Sequence, residues 1–536
     1  KYLDTFHILS DMAFWNPAEI IGSNPRPLDY SLYRELITAH IWSAGLQPLG
    51  YQPVRGELMQ KVGNKPYISV NYTFDGLTPA GLPEDLCYKL NQYYEQKLRQ
   101  DKTAHDKIEF EIIFNTYDFM TDTRLKELAE YGFDDVEISQ LRNALFEIAK
   151  QTLEHYDEIC EEDLRSLGQL TELRHELRKH APLAETNVMK LYSYIDELLD
   201  SIKDHGTPQF TRQARCAFMA RSFCRTLVEK GYFTKQEMDD FMLSIPTVAS
   251  EFERDFDLYS HGKLSRDDFN HLYGHLRLGT YDIRSDSYRN IYFDVASANL
   301  TGNNKVKQEA KSLDLERLQV ALDEAGIPVT PEKFIEFIKK ATQNREYFKF
   351  EFTKSLSLML DVIVKLGEVM AIAREDMSYL EIQDLLSYHS RDSYIQTIET
   401  RRRFYHVNSY LVLPEVIFDV GDIDVIDIDE ARPNFITNKV VEAPIVNLDE
   451  DHDSDITGKI VVLTKADPGY DWIFAKDIAG FVTKYGGAAS HMAIRCAEFG
   501  IPAAIGCGEK IYQRIHRMQI MCLDCENGRI TEKQSQ

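Results

Sequence analysis

The chain reads as a multidomain protein, with a largely α-helical N-terminal and central part followed by a smaller C-terminal α/β domain. Three observations predict this. A length of 536 residues exceeds what one core usually organises and suggests about three or four domains. From about residue 116 to residue 400, apolar side chains recur at helical spacing. After Arg403 that pattern gives way to short apolar and β-branched runs separated by glycine and acidic segments.

Residues 1–115 are mixed. Residues 32–41 carry a helical pattern, residues 67–72 (Tyr-Ile-Ser-Val-Asn-Tyr) alternate as a strand does, and Asn16 to Glu19 predict a turn and a helix start. Residues 116–435 form the mainly helical domain, with strands near its end. Ile138, Leu141, Leu145 and Ile148 trace one packing face, and Thr330-Pro331 places an N-cap before a proline suited to a first helical turn. Residues 257–268 faintly resemble a calcium loop, but Tyr259 and His261 fall where oxygen ligands are needed, so Ser265 with Asp268 reads better as a helix start. The triplet Arg401-Arg402-Arg403 reads first as a solvated face and second as an anion contact. Strands are expected at 410–413 and 416–420, then an acidic linker at 449–455. Residues 436–536 form the last domain, with strands expected at 460–463, 478–482, 503–505 and 520–523.

Composition excludes several classes. A net charge of −25 argues against nucleic acid as the main partner. Eight cysteines are scattered through the chain, which suits a reducing compartment, and the pair Cys522/Cys525 stands alone without a metal or redox role. The most apolar stretch, residues 356–373, is interrupted by Asp361, Lys365 and Glu368, so no membrane span is expected and the protein reads as cytoplasmic. Lys1 in place of an initiator methionine predicts a fragment or a processed chain.

Chemistry concentrates at residues 483–494, Thr-Lys-Tyr-Gly-Gly-Ala-Ala-Ser-His-Met-Ala-Ile, closed by Gly500-Ile501-Pro502. A buried strand ends here and a helix begins, which places His491 at a strand-to-helix turn. Gly486 and Gly487 carry no Cβ to keep a ligand from the backbone N–H groups, and a helix N-terminus adds partial positive charge. A neutral imidazole attacks phosphorus without prior deprotonation by a strong base. Thr483 or Ser490 would orient the ring and hydrogen-bond phosphoryl oxygens. Covalent phosphohistidine chemistry is the expectation, against the plainer one of a helix-capping histidine beside a structural glycine turn.

The pattern T-x-x-G-G-x-x-S-H-x-A-I with E-x-G-I-P-A, Thr483 to Ala503, resembles the phosphohistidine, or swivelling, domain of the PEP-utilising enzymes, among them phosphoenolpyruvate synthase, pyruvate phosphate dikinase and rifampin phosphotransferase. The resemblance implies His491 as the phosphorylated residue and Thr483, Gly486, Gly487 and Ser490 as phosphate contacts. The family's arginine before the glutamate is Ala497 here; Arg495, two positions earlier, is the candidate for its phosphate contact, and whether it replaces that arginine stays open. A second segment, Gly274-His275-Leu276-Arg277-Leu278-Gly279-Thr280-Tyr281-Asp282, resembles an acceptor-binding block of the same family, with Leu278 replacing the usual proline. It implies His275, Arg277 and Asp282 at an acceptor site, with His275 a possible general base; the alternative is an ordinary loop. A third block, residues 16–33, resembles the region that follows the nucleotide-binding domain. Ser69 and Asn71 stand where relatives carry aspartate and arginine.

The chain has no glycine-rich nucleotide-binding segment and no run suited to a phosphoenolpyruvate-binding barrel. The resemblance therefore implies an ATP-binding domain upstream or in trans, Mg²⁺ accompanying that ATP, no metal site in this chain, and a small-molecule acceptor. The donor, ATP or phosphoenolpyruvate, and homo-oligomerisation stay open. Two rivals also stay open: a phosphohistidine carrier serving a protein partner, and a noncatalytic scaffold with an inherited fold.

Overall fold

The computed structural model describes residues 7–13, 16–180, 182–277, 280–290, 312–408, 411, 413–419, 421–424, 433–450, 454–465, 468–487, 490–516 and 518–533. The chain divides into two compact units. The first comprises Lys1–Pro17, Ser23–Ser250 and Val306–Val425, the second Ala18–Gly22, Glu251–Lys305 and Ile426–Gln536.

In the first unit four long helices, Asp135–Lys179, Val188–His205, Thr207–Glu229 and Pro331–Val369, pack against one another. Leu141, Leu145 and Ile148 are buried on the predicted face. The first helix is started by a capping box, Asp134 with Glu137. The fourth is started by Thr330, whose hydroxyl accepts from Lys333 N–H at 3.3 Å. Residues 32–41 are helical but interrupted: Pro27–Tyr33 passes into a π-helical turn, Arg34–Thr38, and His40 takes φ 67° before a new helix at Ile41.

A four-stranded antiparallel sheet, β2 (Met59–Val62), β3 (Lys65–Ser69), β1 (Leu9–Ser10) and β4 (Val416–Ile417), completes this unit. The strand expected to reach residue 72 stops at Ser69. That side chain accepts from Tyr72 N–H and starts the helix Val70–Leu77, so a local cap overrides the alternation. Ser69 Oγ also lies 2.9 Å from His7 Nδ1, and Asn71 accepts from Ile8 N–H at 2.9 Å. The expected strand at 410–413 includes Tyr410 and Val412, which lie outside the described residues, as does Val420 of the next.

A buried charged cluster joins three of these strands. His105 Nδ1 is 2.9 Å from Ser10 Oγ, its Nε2 is 3.6 Å from Glu415, and Asp11 lies 2.8 Å from Lys65. Burial disfavours the charged ring, but Glu415 and Asp11 outweigh it and raise the His105 pKa. Arg401 pairs with Asp384 and Glu381, and Arg402 with Asp376, so two members of the arginine triplet meet carboxylates of this chain.

The second unit holds a seven-stranded mixed sheet in the order β11 (Arg529–Glu532), β10 (Ile520–Asp524), β6 (Val440–Asn447), β7 (Ile460–Lys465), β8 (Gly480–Tyr485), β9 (Ala503–Ile505), β5 (Asn434–Ile436). Its centre, β6 to β9, is parallel. Strands covered on both faces need apolar side chains at every position, which is why Ile460 to Leu463 read as a continuous run. Val461 and Leu463 pack with Met492 and Cys496 on one face, and Ile460 and Val462 with Tyr512 and Ile515 on the other. The helix His491–Phe499 therefore covers one side and Gly508–Ile515 the other. Strand β8 starts at Gly480, two residues later than the hydrophobicity of Ile478 suggests. Ile478 instead packs into the core from the preceding turn.

Among the described residues no helix is long and apolar enough to cross a membrane. All eight cysteines are free thiols.

Candidate active site

Strand β8 ends in Thr483-Lys484-Tyr485, the glycine pair follows, and the helix begins at His491. Ser490 is its N-cap: the backbone is extended there and Oγ accepts from Ala493 N–H at 3.3 Å. Gly500, at φ 64°, ends the helix in the left-handed conformation that favours glycine. His491 is thus the first helical residue, where N–H groups lack intrahelical acceptors and the dipole favours an anion.

The glycines serve a close approach. Gly486 has φ 136°, Gly506 has φ 75°, and a Cβ on Gly506 would lie 2.3 Å from the Gly486 carbonyl oxygen. The two turns pack backbone to backbone, and a side chain at Gly506 would push them apart. Thr483 locks this arrangement. It is fully buried, its Oγ1 accepts from Gly506 N–H at 3.1 Å and its carbonyl from Cys507 N–H at 2.9 Å. Ser490 N–H donates to Gly487 O at 2.9 Å; Ala488 and Ala489 lie outside the described residues.

The histidine ring has a partner that sequence reasoning missed. His491 Nε2 lies 2.8 and 2.7 Å from the two carboxylate oxygens of Asp471. A carboxylate only accepts, so Nε2 carries the hydrogen in this arrangement. Asp471 is 8 % exposed and sits in the 3₁₀ segment Pro468–Ala475. Its signal in the sequence was a lone charge inside the apolar run Tyr470-Asp471-Trp472-Ile473-Phe474. A buried carboxylate needs a partner, and that partner lies 20 residues away.

Arg495 follows His491 by one helical turn but is held by neighbours. It is buried, pairs with Glu498 at 2.8 Å and with Glu253, and lies 4.7 Å from the Phe499 ring centroid. Burial lowers its pKa, and the carboxylate of Glu498 counters that.

His275, Arg277 and Asp282 are all buried. Arg277 donates to Ser285 O at 2.6 Å, while Asp282 takes Arg284 Nε at 3.0 Å and the Arg284 backbone N–H at 2.7 Å. These contacts fold the loop onto itself; Leu278 and Gly279 lie outside the described residues. The segment belongs to the same compact unit as His491. Tyr288 OH donates to Gly469 O at 2.5 Å, two residues from Asp471, and Glu253 reaches Arg495 on the His491 helix. Tyr281 N–H donates to Ile20 O at 2.8 Å, which joins residues 18–22 to the same assembly. Tyr288 and Glu253, like Asp471, carried no motif.

Residues 456–528 match the family model described as the PEP-utilising enzyme, mobile domain. A rifampicin phosphotransferase from Bacillus subtilis (strain 168) is 28 % identical over 222 residues, 38 % of this chain and 24 % of that protein. A second, from Bacillus cereus, is 26 % identical over 212 residues, 36 % of this chain and 24 % of its own length. The matched stretches thus span about a quarter of each relative.

Proposed function

We propose that this chain, whose residues 456–528 match the mobile domain of PEP-utilising enzymes, is part of a phosphotransferase that carries a phosphoryl group on His491 and delivers it to a small-molecule hydroxyl. The observation that carries the reading is His491 itself: a helix-start imidazole beside the Gly486-Gly487 turn, oriented by a buried carboxylate.

Nε2, the ring nitrogen that faces Asp471, is assigned as the phosphorylated position. In the first step the ring hydrogen shifts from Nε2 to Nδ1, and the freed Nε2 lone pair attacks a donor phosphorus; the P–N bond forms as the bond from phosphorus to the donor's leaving oxygen breaks, and the Nδ1 proton passes to the leaving oxygen or to solvent. In the second step the acceptor oxygen attacks the same phosphorus, the P–N bond breaks, and the acceptor's proton ends on Nε2. The Asp471 contact corresponds to this discharged state. While a phosphoryl group occupies Nε2, the carboxylate repels it; once the group has left, the carboxylate accepts Nε2–H. Both effects favour delivery over retention.

The donor is assigned as ATP, bound by a domain upstream or in trans. Among the described residues no three His, Cys, Asp or Glu side chains converge as metal ligands, and Asp471 is engaged with the ring. Mg²⁺ is assigned to the donor nucleotide, bound with it outside these residues. The acceptor site is assigned to the segment bearing His275, Arg277 and Asp282, supported by its place in the unit that holds His491. The test is turnover by His491→Ala with circular dichroism as a folding control: transfer is lost with an unchanged spectrum, and normal turnover by the variant would sink the relay.

A further inference from the structure

The first unit contains a cationic cluster that the relay does not use. Phe218, Arg221 and Arg225 fall at i, i+3 and i+7 on one face of the helix Thr207–Glu229. Arg345 reaches the same place from the helix Pro331–Val369, and Phe110 from the π-helical turn Ile108–Ile112. The Phe110 and Phe218 ring centroids are 5.9 Å apart. The guanidinium carbons of Arg221 and Arg225 lie 5.8 and 5.5 Å from the Phe110 centroid, and that of Arg345 lies 5.4 Å from Phe218. All five side chains are partly exposed, so the cluster opens to solvent.

Its charge balance is uneven. Arg215, beside Phe218, is matched by Glu109 at 2.5 Å. Arg225 and Arg345 meet Glu229 and Glu346, each at 3.6 Å; Arg225 also donates to Phe110 O at 3.4 Å, and Arg345 shares Glu109 with Arg215. Arg221 has no carboxylate and no hydrogen-bond acceptor among the described residues, and burial together with Arg345 and Arg225 lowers its pKa. In a chain of net charge −25, three guanidinium groups thus face two rings with Arg221 unmatched by a carboxylate and repelled by its two neighbours. Folds retain such arrangements where a ligand offsets them. Guanidinium groups match carboxylate and phosphate oxygens in pairs, and the flanking rings offer a flat apolar surface.

We propose that Arg221, Arg225 and Arg345, with Phe110 and Phe218, form a binding site for a small molecule that carries an oxyanion on a flat apolar body. The site is independent of His491 and of the relay.

Calorimetric titration of the whole chain with phenyl phosphate tests it, with inorganic phosphate and phenol as the separate halves. Phenyl phosphate should bind saturably and more tightly than either half. Arg221→Gln and Arg345→Gln should each weaken it by about tenfold or more, Phe218→Leu should also weaken it, and Arg221→Lys should restore part of the loss. The melting temperature of Arg221→Gln should be unchanged or higher, since a cation held for a ligand contributes nothing to the empty fold. Absence of saturable binding, equal affinity for inorganic phosphate, binding indifferent to Arg221→Gln, or a lower melting temperature with unchanged affinity would each overturn the proposal.

Discussion

At His491 the Asp471 carboxylate holds the ring nitrogen, and in the proposed relay it would also set the ease with which a phosphoryl group leaves. Asp471→Asn keeps the shape of the side chain but removes its charge, so repulsion of the phosphoryl group and stabilisation of Nε2–H both weaken. Charged His491 should then persist about tenfold longer, a barrier increase of roughly 1.4 kcal/mol; a chase of labelled protein reads this as the half-life of the label. Faster discharge would show that Asp471 protects the carrier instead. Only part of this was legible in the residues. His491, the glycine pair and the Ser490 cap are neighbours in sequence, and local spacing specifies them. Asp471 reaches the ring through tertiary packing, and the only trace it leaves in the sequence is a charge among aromatic side chains. Thr483 was legible as a member of the motif but not in its contact: its hydroxyl meets Gly506, 23 residues on.

At the scale of elements, the site is two glycine turns and a capped helix laid across the end of a parallel sheet. The cap should contribute about 1 kcal/mol, so Ser490→Ala should lower stability by that amount in urea unfolding. Gly506→Ala brings a Cβ against the Gly486 carbonyl in a left-handed conformation. A destabilisation of roughly 1–3 kcal/mol is expected, with loss of His491 labelling before the fold is lost. Labelling at the native rate would mean that the turn spacing does not shape the cradle. Buried parallel strands and capped helices were readable from hydrophobic runs and from Ser, Thr and Gly at their ends. Where a cap and an alternation competed, at Ser69, the cap won, because its hydrogen bond is made within three residues whereas a strand needs a partner at a distance.

At the scale of the whole molecule, the second unit is assembled from three separated stretches of chain, which local pattern does not announce. Tyr288→Phe removes one of its ties, to Gly469. Charging of His491 should be unchanged and delivery slower, and slowing of both steps would contradict a role confined to the acceptor side. The first unit carries a pH dependence of its own. His105 has a raised pKa, so its stabilisation is complete below the unfolded value of 6.5 and is lost as pH rises through the folded value. Stability should fall as pH rises above about 6.5, and His105→Asn should flatten that limb. The proposed relay would tie these scales together, since it needs both the chemistry at His491 and the assembly of the second unit. The most direct measurement is to incubate the chain with its nucleotide-binding partner region, Mg²⁺ and ATP labelled in the β-phosphate, then to map the label by mass spectrometry under alkaline conditions. Acid-labile, alkali-stable label on the peptide containing His491 is the predicted result; nucleotide binding with no label on that peptide would contradict the relay.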